Sequence, residues 1–107
     1  MAFKCTLNDA DCGGRCAHIN EVLEFMSVVN DEHRLRIICI LTNTKGYPVG
    51  EICKGVELPQ NLVSHHLGVL YRKGLLKRKK VGLNVYYSLN QKKVDEKFSA
   101  LSKLLNN

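Results

Sequence analysis

A helix starting near Pro59 would carry Gln60, Asn61, Ser64, His65 and Gly68 on one face, because Val63, Leu67 and Leu70 form an apolar stripe on the other. Amide and hydroxyl side chains on the exposed N-terminal half of a helix can pair with base edges in a major groove, and a small residue admits the backbone. A plain solvated face has a similar composition, so the neighbouring residues decide the reading. Arg72 and Lys73 end the helix, and Lys77, Arg78, Lys79 and Lys80 follow at once. That cluster supplies the charge with which proteins neutralise a phosphate backbone.

A second chemistry resides in sulfur. The chain has five cysteines. Cys12, Cys16 and Cys53 are candidates for one soft-ion site, since three thiolates suit trigonal arsenic(III) or antimony(III), or cadmium or lead with a fourth sulfur from Cys5. A Cys3His zinc site using His18 is conceivable, but Cys-x3-Cys around two glycines is not a common zinc spacing. A reversible disulfide between Cys12 and Cys16 is the rival use of the same thiols. Cys39 lies in Ile37-Ile38-Cys39-Ile40-Leu41 and is expected to be packed. His66 is expected to be packed and hydrogen-bonded, and His65 to point outward.

The elements that must position these groups follow from periodicity. Val49, Ile52, Cys53 and Val56 share a face of a short helix from Val49 to about Gly55, with Gly55 at the turn. Pro59 fits the first turn of the next helix and Gly74 its C-cap. Leu75 to Val81 and Val85 to Leu89 alternate as two strands joined at Gly82-Leu83-Asn84, with Val85, Tyr87 and Leu89 on one face. Upstream, Ile19, Val22, Leu23, Met26 and Val29 predict an amphipathic helix from about Ala17. Asn30 caps a second helix that runs to about Leu41, with Leu35, Ile38, Cys39 and Leu41 largely inward, and Thr42 to Pro48 is a loop. After the hairpin, Asn90 caps a last helix striped by Val94, Phe98, Leu101 and Leu105.

These pieces, in this order, resemble the winged-helix repressors of the ArsR/SmtB type. The residues that carry the likeness are V-G-E-I-C at 49–53, V-S-H-H-L at 63–67, G-L-L at 74–76, V-Y-Y-S-L at 85–89 and the helix from Glu32 to Cys39. The resemblance spans about residues 20–105. Pro59 replaces the usual Ser cap, and Gly55 stands where metal-sensing members often have the second Cys of a Cys-x-Cys pair. The likeness implies a mainly α fold of about five helices with a β-hairpin wing, assembled as a homodimer through the first and last helices. It implies DNA contacts by Gln60, Asn61, Ser64, His65, Arg72, Lys77, Arg78, Lys79, Lys80 and Asn84. It also implies an ion site joining amino-terminal cysteines to Cys53. The family's last-helix metal site is not expected, because no His follows His66, although Asp95 and Glu96 are present. A family branch that senses persulfides or oxidants pairs a Cys at the place of Cys39 with one in the last helix, which has none here.

Size and charge limit the alternatives. At 107 residues the chain divides into an arm, 1–16, and one small domain, 17–107. Of its net charge of +6, residues 1–44 hold four basic and six acidic groups, and residues 45–107 hold twelve basic and four acidic. The second half therefore faces a polyanion. No apolar stretch approaches the ~20 residues of a membrane span. Met1 to Cys5 leads into polar residues without a leader-like apolar core, so a cytoplasmic location is expected, where free thiols predominate. A thiol oxidoreductase would need Cys-x-x-Cys in a βαβ setting, which is absent, and no other enzyme chemistry is expected. A purely architectural DNA binder would leave the arm cysteines idle. The function expected is a transcriptional repressor released from its operator by a thiophilic metal or metalloid, or alternatively by thiol oxidation.

Overall fold

The structure, a computed structural model, describes residues 18–106. Helices α1 (Ile19–Val29) and α2 (Glu32–Leu41) lead into a short strand β1 (Tyr47–Pro48), then α3 (Val49–Val56) and α4 (Gln60–Arg72). Strands β2 (Leu76–Val81) and β3 (Asn84–Leu89) form the hairpin, and α5 (Gln91–Leu105) closes the order. The sheet runs β1-β3-β2, antiparallel throughout. This is a winged helix-turn-helix, with five helices among the described residues. Among the described residues no helix is long and apolar enough to cross a membrane.

The core is built where the stripes meet. Ile37 and Leu41 of α2, Ile52 of α3, and Val63, Leu67 and Leu70 of α4 are fully buried, with Leu75 and Leu76 sealing the floor. Burying each such side chain stabilises the fold by about 1.5–3 kcal/mol. α4 ends as expected at Gly74, whose φ is 80°. Gly74 N–H donates to Tyr71 O and Leu75 N–H to Leu70 O, the paired bonds of a Schellman cap, with Leu75 packed in the same core as Leu70.

Several expectations are corrected. Asp31, not Asn30, caps α2: its Oδ1 accepts from the N–H groups of His33 at 2.9 Å and Arg34 at 3.1 Å. Asn30 instead closes α1 by donating to Met26 O. Pro59 stands at the N-cap of α4, its carbonyl starting the helix, rather than inside the first turn. The turn after α3 is made by Glu57, at φ 56°, and Gly55 is helical. A Cβ on Gly55 would lie 2.8 Å from Ile40 Cδ1, so this glycine serves the close approach of α2 and α3. Cys39 is exposed, not packed, and Leu35 is 49% exposed, because a run of five apolar residues winds around a helix that buries only Ile37 and Leu41.

The terminal helices are two-faced. α1 buries Val22, Phe25 and Val28 against its own domain and leaves Leu23 and Met26 half exposed. Phe25 was absent from the predicted stripe. On α5 only Val94 is buried, while Phe98 is 60% and Leu105 76% exposed. The Phe25 and Phe98 rings meet edge to face at 5.8 Å, and Lys97 Nζ lies 3.0 Å from Glu21 Oε1. Asn90 caps α5 as expected, accepting from Lys93 N–H.

Residues 42–48 were predicted as loop, yet Tyr47 and Pro48 pair with Tyr87 and Tyr86. Gly46 permits the pairing. Its φ is 113°, and a Cβ there would stand 2.8 Å from Tyr87 O. Gly46→Ala should therefore lower stability by about 1–3 kcal/mol. Gly50→Ala, where a Cβ meets nothing within 4 Å, should be neutral or stabilising by up to about 1 kcal/mol. Urea unfolding of both variants checks the contrast.

Candidate nucleic-acid interface

α4 presents its polar face as the stripe requires. Gln60, Asn61, Ser64 and His65 are all exposed at the N-terminal half, opposite buried Val63, Leu67 and Leu70. Gly68 differs from expectation. A Cβ there would lie 3.1 Å from Arg72 Nη1, so the guanidinium of Arg72, one turn on, lies over the glycine and occupies the space that was expected to admit a ligand. Two exposed residues of α4, Leu62 and Tyr71, were not singled out by sequence.

The hairpin is tighter than predicted, a two-residue turn at Gly82-Leu83 with Val81 opposite Asn84. Its four cations are all exposed but do not share a side. Leu76, Arg78 and Lys80 alternate onto one face, where Arg78 sets its guanidinium 4.5 Å from the centre of the Tyr71 ring of α4. Lys77, Lys79 and Val81 take the other. There Lys79 and Val81 line a shallow hollow of about 250 Å³ with Lys45, Tyr86 and Ser88. Of the face expected to hold Val85, Tyr87 and Leu89, Tyr87 and Leu89 pack on the core, whereas Val85 is half-buried outside it. Lys73 is drawn away from the hairpin: its Nζ lies 2.8 Å from Glu24 Oε1 of α1. Asn84 is exposed at the start of β3.

The thiols divide. Cys53 is half-buried on α3 at the edge of the core. Cys39 lines an open groove of about 430 Å³ with Glu32, Leu35, Arg36, Ile40 and Gly55. Cys5, Cys12 and Cys16, and with them the 1–16 arm, lie outside the described residues. Among the described residues no group of three or more His, Cys, Asp or Glu side chains could hold a metal ion. On α5, Asp95 is hydrogen-bonded to Gln91.

The same arrangement occurs in known proteins. Residues 31–78 match the family model described as bacterial regulatory protein, arsR family. The transcriptional repressor PagR of Bacillus anthracis is 35% identical over 97 residues, covering 82% of this chain and 93% of that protein. The transcriptional activator HlyU of Vibrio cholerae is 33% identical over 79 residues, covering 74% and 72%. The crystal structure of HlyU from Vibrio vulnificus superimposes with a TM-score of 0.67 at 33% identity, over 94% of this chain and all of that one.

His66 departs from expectation in one respect. It is packed, at 8% exposure, but its Nδ1 has no hydrogen-bond partner, and nor does the buried Nδ1 of His33. The His66 ring lies 5.7 Å from His33 and 5.3 Å from His65. Burial pushes the His66 pKa below the ordinary 6.5, an effect that Arg34, His65 and His33 reinforce and Asp31 opposes. The folded protein thus takes up this proton less readily than the unfolded chain. Stability present above about pH 6.5 is lost as pH falls below it. The melting midpoint should drop between pH 7.5 and 5.5, and His66→Asn should shrink that drop. Calorimetry showing an equal drop in both proteins would refute the assignment.

Proposed function

This chain belongs to the arsR family of bacterial regulatory proteins, DNA-binding transcription regulators rather than enzymes, and from that premise we propose that it is a homodimeric repressor released from its operator when a thiophilic ion binds. The observation that carries the DNA contact is the exposed Gln60, Asn61, Ser64 and His65 face beside a wing bearing Lys77, Arg78, Lys79 and Lys80. In this reading the first four, on α4, pair with base edges, and Arg72, the wing cations and Asn84 position the duplex. A repressor is preferred over an activator on the likeness to PagR.

Dimerisation is supported by the half-exposed Leu23 and Met26 of α1 and the exposed Phe98 and Leu105 of α5. A second copy covering them would place two reading helices about one DNA turn apart. Phe98→Asp would put a charge into that dry contact. The expected result is a monomer with weak operator binding, read by sedimentation. A wild-type monomer at micromolar concentration would overturn the assembly.

The effector reading is supported by the half-buried thiol of Cys53 on α3, the helix that packs directly beneath α4. Thiolates from Cys12 and Cys16, with Cys5 in reserve, would complete a soft-ion site for arsenic(III) or antimony(III), or for cadmium or lead. Because α3 and α4 share one core, an ion that repositions α3 has different contacts in the DNA-bound and free states, which is the source of any coupling. About 2–3 kcal/mol of coupling lowers operator affinity roughly a hundredfold. Cys53→Ser should bind operator normally and fail to leave it on addition of arsenite or cadmium. Release at the wild-type ion concentration would refute a site at Cys53. The exposure of Cys39 favours a second reading, release by oxidation. In that case peroxide, not arsenite, dissociates the complex, and Cys39→Ser abolishes the response.

A further inference from the structure

The two packed histidines between α2 and α4 have no part in the reading above. His66 of α4 meets His33 of α2 with ring centres 5.7 Å apart, and neither buried Nδ1 has a hydrogen-bond partner. A neutral ring can keep Nδ1 as a bare acceptor, but a charged one donates from both nitrogens, which leaves a buried N–H of His66 unpaired. The surroundings add to that cost. Burial is the first force against a charge on His66; Arg34 of α2, His65 of α4 itself and His33 of α2 follow, and Asp31 opposes them. Asp31 is already engaged as the cap of α2, accepting from the N–H groups of His33 and Arg34. The anchoring on each side decides what yields under such a charge. Arg34 is fixed to α1, because its Nε donates to Val28 O at 2.6 Å. The start of α4 has no such hold: its N-cap is Pro59, with no side-chain cap and no acidic residue in the first turn.

We propose that His66, backed by His33, is a proton switch: acidification charges the ring, lifts the uncapped first half of α4 from the start of α2, and releases the protein from its operator. This rests on the DNA-binding reading and uses neither the ion site nor the thiols. The half of α4 that moves carries Gln60, Asn61, Ser64 and His65, so the charge withdraws the groups that read bases while the hairpin cations stay in place. The effect opposes that of an ordinary basic surface. Exposed imidazoles such as His65 gain charge as pH falls and tighten attachment to phosphates of any sequence. His66 stands on the far side of a helix about 10 Å across, beyond the Debye length of about 8 Å at physiological salt, so the phosphates do little to favour its charge. The operator therefore binds the neutral form, and by linkage its binding expels the proton.

The test uses a duplex that the wild-type protein selects from a random pool at pH 7.5, compared with a random duplex of equal length. One linked proton changes affinity by at most about tenfold per pH unit. Between pH 7.5 and 5.5, over the range in which circular dichroism keeps its full helix signal, the ratio of selected to random affinity should fall on the order of tenfold. In His66→Asn that ratio should hold constant. A constant ratio in the wild type would overturn the switch, and a fall that persists in His66→Asn would move the effect to His65 and overturn it equally. Should His66→Asn not fold, the wild type decides alone. Calorimetry near pH 6 in two buffers of different ionisation heat should show protons released when the selected duplex binds, whereas an imidazole held against DNA takes protons up; uptake, or no exchange, would refute the proposal. If the wild type selects no duplex at all, the DNA-binding reading itself fails, a result distinct from these.

Discussion

The burial of one side of α4 is the constraint on which the rest of the molecule depends. Val63, Leu67 and Leu70 have no exposure, and they are held by Ile37 and Leu41 from α2 and Ile52 from α3. With 3.6 residues to a turn, fixing those positions fixes Gln60, Asn61, Ser64 and His65 on the solvent side. No contact to the polar residues themselves is needed. The Schellman cap at Gly74 then turns the chain directly into β2, so the wing's place beside α4 follows from the same packing, and Arg78 on Tyr71 ties the two together.

Much of this was legible because it is local. The stripe of α4, the end at Gly74, the two strands and the Asn90 cap each depend on residues within a few positions of one another, and each was predicted. What escaped depends on distant partners. Nothing near Tyr47 and Pro48 announces a strand, because the pairing is with Tyr87 and Tyr86 some forty positions on. Lys45 was therefore read as part of a loop and not as part of the wing surface. Gly55 was taken for a turn because glycine often marks one, whereas the reason for it is a side chain of another helix, Ile40.

Cys39 shows a different difficulty. Hydrophobic neighbours on both sides suggested a packed thiol, but neighbours in sequence point around a helix in all directions. Only contact with α3 and α4 determines which are covered. For the basic surface of α4 and the hairpin the sequence indicated the charges but not their sides: six cations in nine positions look like one patch. The structure separates them into Arg72 over Gly68, Lys73 bound to Glu24, and two opposed faces of a hairpin.

The edge-to-face pair of Phe25 and Phe98 joins the inside of the domain to its surface, since Phe25 is 7% exposed and Phe98 60%. A second copy laid over Phe98 would complete the apolar surroundings of a ring that already belongs to the core. Folding and association would then be linked by mass action: the fold gains free energy as copies accumulate, and a dilute chain is a less stable one. The abundance of the protein would then itself help to decide how much of it is folded.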